Sequence, residues 1–248
     1  MRRDVLGVHI DSVTIEEALN RAQGFLEGNS GNTIFTPNPE MLVEAQNNPV
    51  FREILNTASL NLCDGVGIQL LLGGKIKRIP GVDFVYKLCA LAEKRGDSLY
   101  LLGTGSNSIL EKTVEELTKK FPNLHIVGYH RGVDITLKNG FHILDEKEND
   151  KLIDNIISVA PKILLVAFGH SKQEQWIYTF LSELPSVRIA VGVGGSFDYI
   201  SGEVSRAPKI LRVIGLEWLY RLLLQPKKRF KRIINAVIIF PFTFLFKK

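Results

Sequence analysis

Asn32-Thr33-Ile34-Phe35-Thr36-Pro37-Asn38-Pro39-Glu40 is a short apolar run that ends in a polar turn, and Asn61-Leu62-Cys63-Asp64-Gly65 has the same character. A helical pattern follows each turn. This order predicts parallel strands, and open α/β sheets bind ligands at the carboxyl ends of their strands. We therefore expect Thr36 and Asp64 to lie in one active-site cleft.

The remainder of the chain continues this alternation of short strands and helices. Apolar runs predict further strands at residues 98–102, 125–127, 163–167 and 188–193. Three helices are predicted from their starts: one follows a capping box at Thr14, one begins near Pro39 and one begins at Pro49. Helical patterns predict three more at residues 109–121, 150–158 and 173–184. We predict an α/β fold, Rossmann-like, with a mostly parallel open sheet flanked by helices. The polar stretch 131–149 is typical of a surface connection.

The composition fits one globular domain with an appendage. A chain of 248 residues with 45% hydrophobic content can bury a large core. The two cysteines form no CxxC pair and the histidines show no metal-ligand spacing, which argues against a disulfide framework or a zinc site. No apolar run suited to export follows Met1, so we expect the protein to stay in the cytoplasm.

The last part of the chain differs from the rest in charge. Residues 209–248 contain ten basic side chains and one acidic one, a charge of +9 in a chain whose total is +5, so the first 208 residues carry −4. Residues 205–224 show a helical, amphipathic pattern. We therefore divide the chain into a catalytic α/β domain, residues 1–204, and a basic amphipathic appendage, residues 205–248.

The end of this appendage predicts a membrane surface as a partner. A basic run at 227–232 precedes fourteen mostly apolar residues, 233–246, whereas a bilayer-spanning helix needs ~20. The segment instead resembles an interfacial anchor, in which each cation contributes ~1 kcal/mol at an anionic leaflet. A nucleic-acid patch or a solvated charge run would explain the cations but not the Phe and Ile side chains beside them. We expect an anionic membrane surface and no nucleic acid.

Asp64 is the first candidate for a general base, because a carboxylate at a strand end can take a proton from an acceptor hydroxyl. The alternative is an Asp-Gly turn that shapes the chain, which spacing alone favours. Thr36 and Asn38 offer a hydroxyl and an amide to the hydroxyl groups of a ligand, in a loop held by Pro37 and Pro39. Their alternative role is to cap the helix that begins near Pro39.

Two further features are candidates for binding phosphate. Arg78 ends a basic stretch and could offset the charge of a diphosphate, with a solvated loop charge as the alternative. The chain has no D-x-D pair to hold a metal ion on a diphosphate, which leaves arginines and backbone N–H groups for that task. Gly103 and Gly105 lie between a strand and a helix, where backbone N–H groups receive phosphate. The third glycine of a dinucleotide fingerprint is missing, and a plain tight turn is the alternative.

Two later turns belong to the same expected cleft. Gln173, at the start of the helix after strand 163–167, offers its amide to the polar groups or the phosphate of a ligand. Gly195 lies in a glycine-rich strand end, where the backbone can approach a ligand closely. Asp198 is a second carboxylate, which we interpret as a structural hydrogen-bond acceptor, and we interpret His170 as a surface loop residue.

Six blocks occur in order along nearly the whole chain: TPNPEMLVEA at 36–45, CDGVG at 63–67, RIPGVD at 78–83, GHSKQEQW at 169–176, GVGGSFD at 192–198, and RAP at 206–208 with GLEWLYRL at 215–222. In this order and spacing the chain resembles the WecG/TagA/CpsF family of bacterial glycosyltransferases. Six separate blocks are far more specific than any single motif.

Together with the missing D-x-D pair and the basic appendage, the resemblance implies a peripheral membrane enzyme without cofactor or metal ion. It would move N-acetylmannosamine from its UDP donor to undecaprenyl-diphosphate-linked N-acetylglucosamine, with inversion, in teichoic acid linkage-unit or surface polysaccharide synthesis. In similar proteins the aspartate at the position of Asp64 is the proposed base, and the threonine of the first block lies beside it. Basic residues of the appendage are thought to meet the lipid diphosphate, here Arg221, Lys228 and Lys231. Two of these are Lys where the family often has Arg, which loses bidentate phosphate geometry.

Other interpretations stay open at this stage. Related proteins transfer glucose or N-acetylmannosaminuronic acid in exopolysaccharide synthesis, and no residue distinguishes these donors. A non-catalytic, nucleotide-binding protein of the membrane surface would also explain the glycine turn and the basic appendage. A nucleotide-dependent oxidoreductase would need the complete G-x-G-x-x-G that this chain lacks. A homo-oligomer is compatible with the sequence.

Overall fold

The computed structural model describes residues 1–224 and 226–246, without the side chains of Arg221, Lys228, Arg229 and Lys231. The strands are β1 (Arg2–Val5), β2 (Val8–Asp11), β3 (Asn32–Phe35), β4 (Leu60–Asn61), β5 (Leu99–Gly103), β6 (Ile126–His130), β7 (Ile135–Thr136), β8 (His142–Ile143), β9 (Ile163–Ala167) and β10 (Ile189–Gly192). The helices of the first 200 residues are α1 (Ile15–Glu27), α2 (Pro39–Asn47), α3 (Pro49–Thr57), α4 (Val66–Leu71), α5 (Gly81–Arg95), α6 (Asn107–Lys120), α7 (Glu146–Val159), α8 (Lys172–Phe180) and α9 (Ser196–Ile200). The C-terminal helices are α10 (Lys209–Val213), α11 (Glu217–Leu224), α12 (Pro226–Ile234) and α13 (Phe240–Phe246).

Six strands form one parallel sheet in the order β4-β3-β10-β9-β5-β6. The chain runs outward from β3 to β4 at one edge and from β5 to β6 at the other, and β9 and β10 later fill the centre. All carboxyl ends therefore meet at one edge of the sheet, where such folds bind ligands. The predicted α/β fold with a mostly parallel open sheet is confirmed.

Helices cover both faces of this sheet. In β9, Ile163 and Leu165 belong to the core under α1, α5, α6 and α9, whereas Leu164 and Val166 belong to the core under α2, α3, α7 and α8. All four side chains are fully buried, because alternate residues of a strand point to opposite faces. A strand covered on both sides is apolar throughout, which is why these runs were recognisable in the sequence.

Predicted helix starts coincide with real caps. Thr14 Oγ1 accepts a hydrogen bond from Glu17 N–H at 3.2 Å, and the Glu17 carboxylate accepts one from Thr14 N–H at 2.8 Å, which is a complete capping box. Asn38 and Asn48 cap α2 and α3, and each is followed by a proline at the first helical position.

The helical character predicted for residues 205–224 is confirmed for most of the segment, but it forms two short helices, α10 and α11, instead of one continuous helix. Gly215 separates them with a φ of 79°, a left-handed conformation that glycine adopts without strain. A Cβ at Gly215 would also lie 2.5 Å from Val66 Cγ2. The break lets the segment turn towards α4 instead of continuing as one rod.

The stretch 131–149 is more than the surface connection that its polarity predicts. It contains the antiparallel hairpin β7–β8 and the first turn of α7. Val133 and Ile135 are buried and join the core beneath α7.

The C-terminal helices pack against the α/β domain. A π-helical segment, Asn235–Ile239, joins α12 to α13, and both this segment and α13 contact α2. Phe240 is fully buried in the core under α2 and α3. Within the described ranges, no helix is long and apolar enough to cross a membrane. The division at residue 204 stays a prediction.

Candidate active site

A cavity of about 890 Å³ opens at the carboxyl edge of the sheet. Predicted site residues that line it are Thr36, Asn38, Asp64, Arg78, Gly105, Gln173 and Gly195. Thr36 and Asp64 therefore share one cleft. The opposite wall comes from the C-terminal segment and includes Glu217 and Arg232. The side chains of Arg221, Lys228 and Lys231 lie outside the described residues.

Asp64 is held between the end of β4 and the start of α5. Its N–H donates to the Pro37 carbonyl at 3.0 Å, and its Oδ2 accepts a hydrogen bond from Gly81 N–H at 3.2 Å. Gly81 is the first residue of a 15-residue helix, whose N-terminal dipole favours a negative charge. The side chain is 31% exposed and lines the cavity, so substrate can reach the carboxylate.

Thr36 and Asn38 flank this carboxylate on the loop after β3. A Cβ at Gly81 would lie 3.5 Å from both Thr36 Oγ1 and Asp64 Oδ2, so both oxygens face the first turn of α5. Asn38 Oδ1 accepts from Met41 N–H at 3.1 Å. The predicted capping role of Asn38 is therefore present, and Asn38 also lines the cavity.

Arg78 lies beside Asp64 and binds the C-terminal segment. Its Nε is 4.0 Å from Asp64 Oδ1, its Nη2 donates to Glu217 Oε2 at 3.0 Å, and its Nη1 donates to the Arg212 carbonyl at 3.3 Å. Glu217 also faces Arg206, whose Nη1 donates to Asp83 at 2.6 Å. The alternative of a solvated loop charge is excluded for Arg78, because its side chain is only 17% exposed.

The glycine turn after β5 reaches the cavity, but packing against β9 determines its conformation. Gly103 has a φ of 117°, and a Cβ there would lie 2.6 Å from the backbone of Ala167. The next two N–H groups donate to carbonyls, that of Thr104 to Ala167 and that of Gly105 to Arg131, both at 3.0 Å. Gly103 is thus required by the contact of β5 with β9. Phosphate binding at this turn stays a prediction.

Gln173 is built into the floor of the cavity. Its Oε1 accepts from Gly194 N–H at 2.9 Å, and its Nε2 donates to Glu174 Oε1 at 2.8 Å. The side chain of Glu174 is fully buried, and burial raises the pKa of this carboxyl. Gln173 therefore fixes the glycine turn that leads to Gly195, next to the place where a donor would lie.

His170 is not the surface loop residue that the sequence suggested. Its side chain is 17% exposed, with Nε2 at 2.5 Å from Glu44 Oε2 and Nδ1 at 3.6 Å from Glu40 Oε2. Burial disfavours the charged ring, but the two carboxylates outweigh it and raise its pKa to about 9. Glu40 also accepts from Arg232 Nε of α12 at 2.6 Å. The sequence signal for this cluster was the i, i+4 spacing of Glu40 and Glu44 on α2.

The site can position an acid-base group and anionic groups together. In the described part of the chain, no three His, Cys, Asp or Glu side chains converge as metal ligands would. A carboxylate, a guanidinium and two glycine turns instead surround one space. This set suits proton removal from a hydroxyl next to a leaving phosphate.

Comparisons with known proteins agree with this chemistry. Residues 3–248 match the family described as "Glycosyl transferase WecG/TagA/CpsF family". A protein of Bacillus spizizenii named N-acetylglucosaminyldiphosphoundecaprenol N-acetyl-beta-D-mannosaminyltransferase is 34% identical over 215 residues, which cover 85% of this chain and 78% of that protein. A Staphylococcus aureus protein of the same name is 29% identical over 231 residues, 91% of this chain and 85% of that protein. This chain therefore belongs to the WecG/TagA/CpsF family and is a glycosyltransferase.

Proposed function

We propose that this enzyme transfers N-acetylmannosamine from UDP-N-acetylmannosamine to undecaprenyl-diphosphate-linked N-acetylglucosamine, with inversion and without a metal ion. The names of its relatives support the acceptor and the transferred sugar. The product would serve surface polysaccharide synthesis, in the first place the linkage unit of teichoic acid.

One observation carries the proposal: Thr36, Asp64, Arg78 and the glycine turns of β5 and β10 line a single cavity at the carboxyl edge of the sheet. A volume of about 890 Å³ is large enough for a nucleotide sugar together with an acceptor sugar. No D-x-D pair exists to hold a metal ion on the diphosphate. Cationic side chains at the cavity are the available substitute.

Each group has one task in this reaction. Asp64 takes the proton of the acceptor hydroxyl, whose oxygen attacks the anomeric carbon as the bond to the UDP oxygen breaks. A single displacement from the opposite side inverts that carbon. Arg78 offsets the charge that develops on the leaving diphosphate. Thr36 and Asn38 orient sugar hydroxyls, and Gly105, Gln173 and Gly195 receive the donor. Gly103 shapes the turn that holds Gly105.

The enzyme would work as a peripheral protein on the inner face of the cell membrane. The basic C-terminal segment supplies attraction to anionic lipid, and exposed apolar side chains supply insertion. Such side chains are Phe230, Ile238, Phe242, Leu245 and Phe246. The cations Arg221, Lys228 and Lys231 would meet the diphosphate of the lipid acceptor.

The test is a donor panel on the purified full chain. A short-chain polyprenyl-diphosphate N-acetylglucosamine is incubated with UDP-N-acetylmannosamine, UDP-glucose, UDP-N-acetylmannosaminuronic acid or UDP-N-acetylglucosamine, and UDP release and disaccharide mass are measured. We expect acceptor-dependent release with the first donor, unchanged by EDTA. Release with another donor alone would change the sugar assignment. No acceptor-dependent release with any donor would favour a non-catalytic nucleotide-binding protein.

A further inference from the structure

Five charged side chains of alternating sign connect the catalytic carboxylate to the C-terminal segment: Asp64, Arg78, Glu217, Arg206 and Asp83. The consecutive N–O distances along this chain are 4.0, 3.0, 3.7 and 2.6 Å. Both ends lie at the first turn of α5, because Gly81 N–H donates to Asp64 and Asp83 is two residues further on. The chain of charges therefore closes around the start of one helix.

Glu217 is the central member, and it is the most deeply buried of the five. Its side chain is 7% exposed, compared with 31% for Asp64 and 39% for Asp83. A carboxylate in such a place is retained only when it is paired, since desolvation costs several kcal/mol per ion. Apolar packing would dock α11 without that cost. The position of Glu217 thus suggests a task beyond docking.

Two carboxylates compete for the guanidinium of Arg78. Glu217 takes Nη2 at 3.0 Å and the Arg212 carbonyl takes Nη1 at 3.3 Å, so two contacts hold the group from the side of the C-terminal segment. The approach to Asp64 is longer, with Nε at 4.0 Å from Oδ1. Charge attraction is stronger in the less exposed pair, because water screens it less.

We propose that Glu217 is a positioning residue that holds Arg78 at a fixed distance from Asp64 and aimed at the leaving diphosphate. The inference rests on the proposed function of Asp64 and Arg78. When the charge of Glu217 is removed, Arg78 moves onto Asp64. The carboxylate then becomes a weaker base, and the guanidinium leaves the place where phosphate charge develops.

Among the described residues, Asp83, Arg206 and Cys63 are further ionisable groups close to this site, and they do not produce the same effect. Asp83 and Arg206 bind each other at the far end of the chain of charges. Cys63 precedes Asp64 but is buried, which raises the pKa of its thiol to about 12, so it stays neutral in the range of an activity assay. Arg78 and Glu217 are therefore the pair to change.

The test compares Glu217→Gln with Asp83→Asn in the full chain. Glu217→Gln keeps the shape of the side chain and removes the negative charge next to Arg78. Asp83→Asn instead weakens the ion pair with Arg206 and changes none of the direct contacts of Arg78. For Glu217→Gln we expect kcat to fall ~10- to 100-fold, less than the ~10²- to 10⁴-fold that complete loss of a general base costs. The acidic limb of its kcat–pH profile should move down by about one pH unit, because a closer arginine favours the ionised carboxylate. Asp83→Asn should leave that limb in place.

The proposal would be overturned if folded Glu217→Gln kept the acidic limb of the native kcat–pH profile, or if both variants lost kcat equally. Glu217 would then be a docking contact. If Glu217→Gln does not unfold cooperatively, Glu217→Asp takes its place, with a smaller shift in the same direction expected. A carbon NMR titration of the Asp64 carboxyl, assigned with Asp64→Asn, gives a readout without turnover. If the native enzyme transfers no sugar but Glu217→Gln still lowers the midpoint pH of the Asp64 titration, the proposed function fails while the positioning role of Glu217 stands.

Discussion

At the scale of single residues, the site depends on how Asp64 is oriented. The hydrogen bond from Gly81 N–H fixes one carboxylate oxygen, and the first turn of α5 supplies a favourable dipole. The other oxygen faces Arg78 at 4.0 Å. A carboxylate held in this way is oriented before substrate arrives, which would lower the entropic cost of the proposed proton transfer.

Asp64→Asn should abolish transfer and leave the fold intact. The Asn side chain keeps an oxygen that can accept the Gly81 hydrogen bond, but it cannot take a proton. We expect kcat to fall by at least ~100-fold, the lower range for loss of a general base. Thermal unfolding and calorimetric UDP binding should stay close to native values.

Asp198→Asn is the matched control, since Asp198 is another carboxylate that lines the cavity. If this variant loses transfer and Asp64→Asn retains it, the base has been assigned to the wrong carboxylate.

The ionisation of His170 makes the stability of the fold depend on pH in the alkaline range. Its folded pKa, raised to about 9 against burial by Glu40 and Glu44, exceeds the ordinary value of 6.5. The charged ring therefore stabilises the fold fully below pH 6.5, and this contribution is lost as the pH rises through 9. The free energy of unfolding of His170→Gln should fall below that of the native protein at pH 6, and the difference should shrink by pH 10. Urea unfolding at both values measures it.

For His130→Gln we expect the opposite pH dependence of the free energy of unfolding. Burial lowers the pKa of His130, so its neutral form is favoured and the native protein loses stability as the pH falls below 6.5. The His130→Gln variant should therefore become more stable relative to the native protein as the pH falls.

For His170→Gln, a stability difference from the native protein that does not change with pH would mean that the ring is uncharged in its cluster.

At the scale of elements, the C-terminal helices have one buried and one exposed apolar face. Phe240 is fully buried against α2, whereas Phe242 is 64% exposed. Ile238 and Phe246, four residues to either side of Phe242, are also exposed, so the three lie along one helical face. Arg232 adds an ion pair to Glu40 of α2. Removing these helices would thus uncover core as well as remove the proposed membrane contact.

Single substitutions separate the two faces. Phe240→Ala should lower the free energy of unfolding by ~3 to 5 kcal/mol, the usual cost of deleting a buried phenyl ring. Phe242→Ala should change it by less than ~0.5 kcal/mol, as for other exposed positions, yet reduce flotation with anionic vesicles. Urea unfolding and vesicle flotation of both variants give the comparison. Unchanged flotation in Phe242→Ala would place the lipid contact elsewhere.

The elements were predictable where the signal was local. The apolar run of β9 and the capping box at Thr14 gave correct elements, because burial on both faces and cap hydrogen bonds act within a few residues. The break at Gly215 was missed, since it depends on contact with Val66, almost 150 residues away in sequence. Likewise, Arg78 was predicted at the site, but its partner Glu217 is 139 residues distant and only the fold brings them together.

At the scale of the whole molecule, the cavity lies between two parts of opposite charge. The first 208 residues carry −4 and the rest +9. Ion pairs such as Arg78 with Glu217 and Glu40 with Arg232 bridge these parts at the cavity wall. The strand ends that form the floor were predictable from their turns. The wall was expected only from the family resemblance, because no local pattern shows that the C-terminal segment folds back over the edge of the sheet.

This charge division predicts how the enzyme meets membrane. Vesicles rich in anionic lipid should bind the full chain at ~0.1 M salt and release much of it near ~1 M, because the Debye length falls from ~10 to ~3 Å. Lys227→Gln should flatten this salt dependence, since it removes one exposed cation of α12. Phe242→Ala should instead lower binding at every salt concentration with the dependence unchanged. Cosedimentation with anionic and neutral vesicles measures both. Equal binding to neutral vesicles, insensitive to salt, would mean that apolar insertion alone attaches the protein and that the basic run serves the substrate diphosphate.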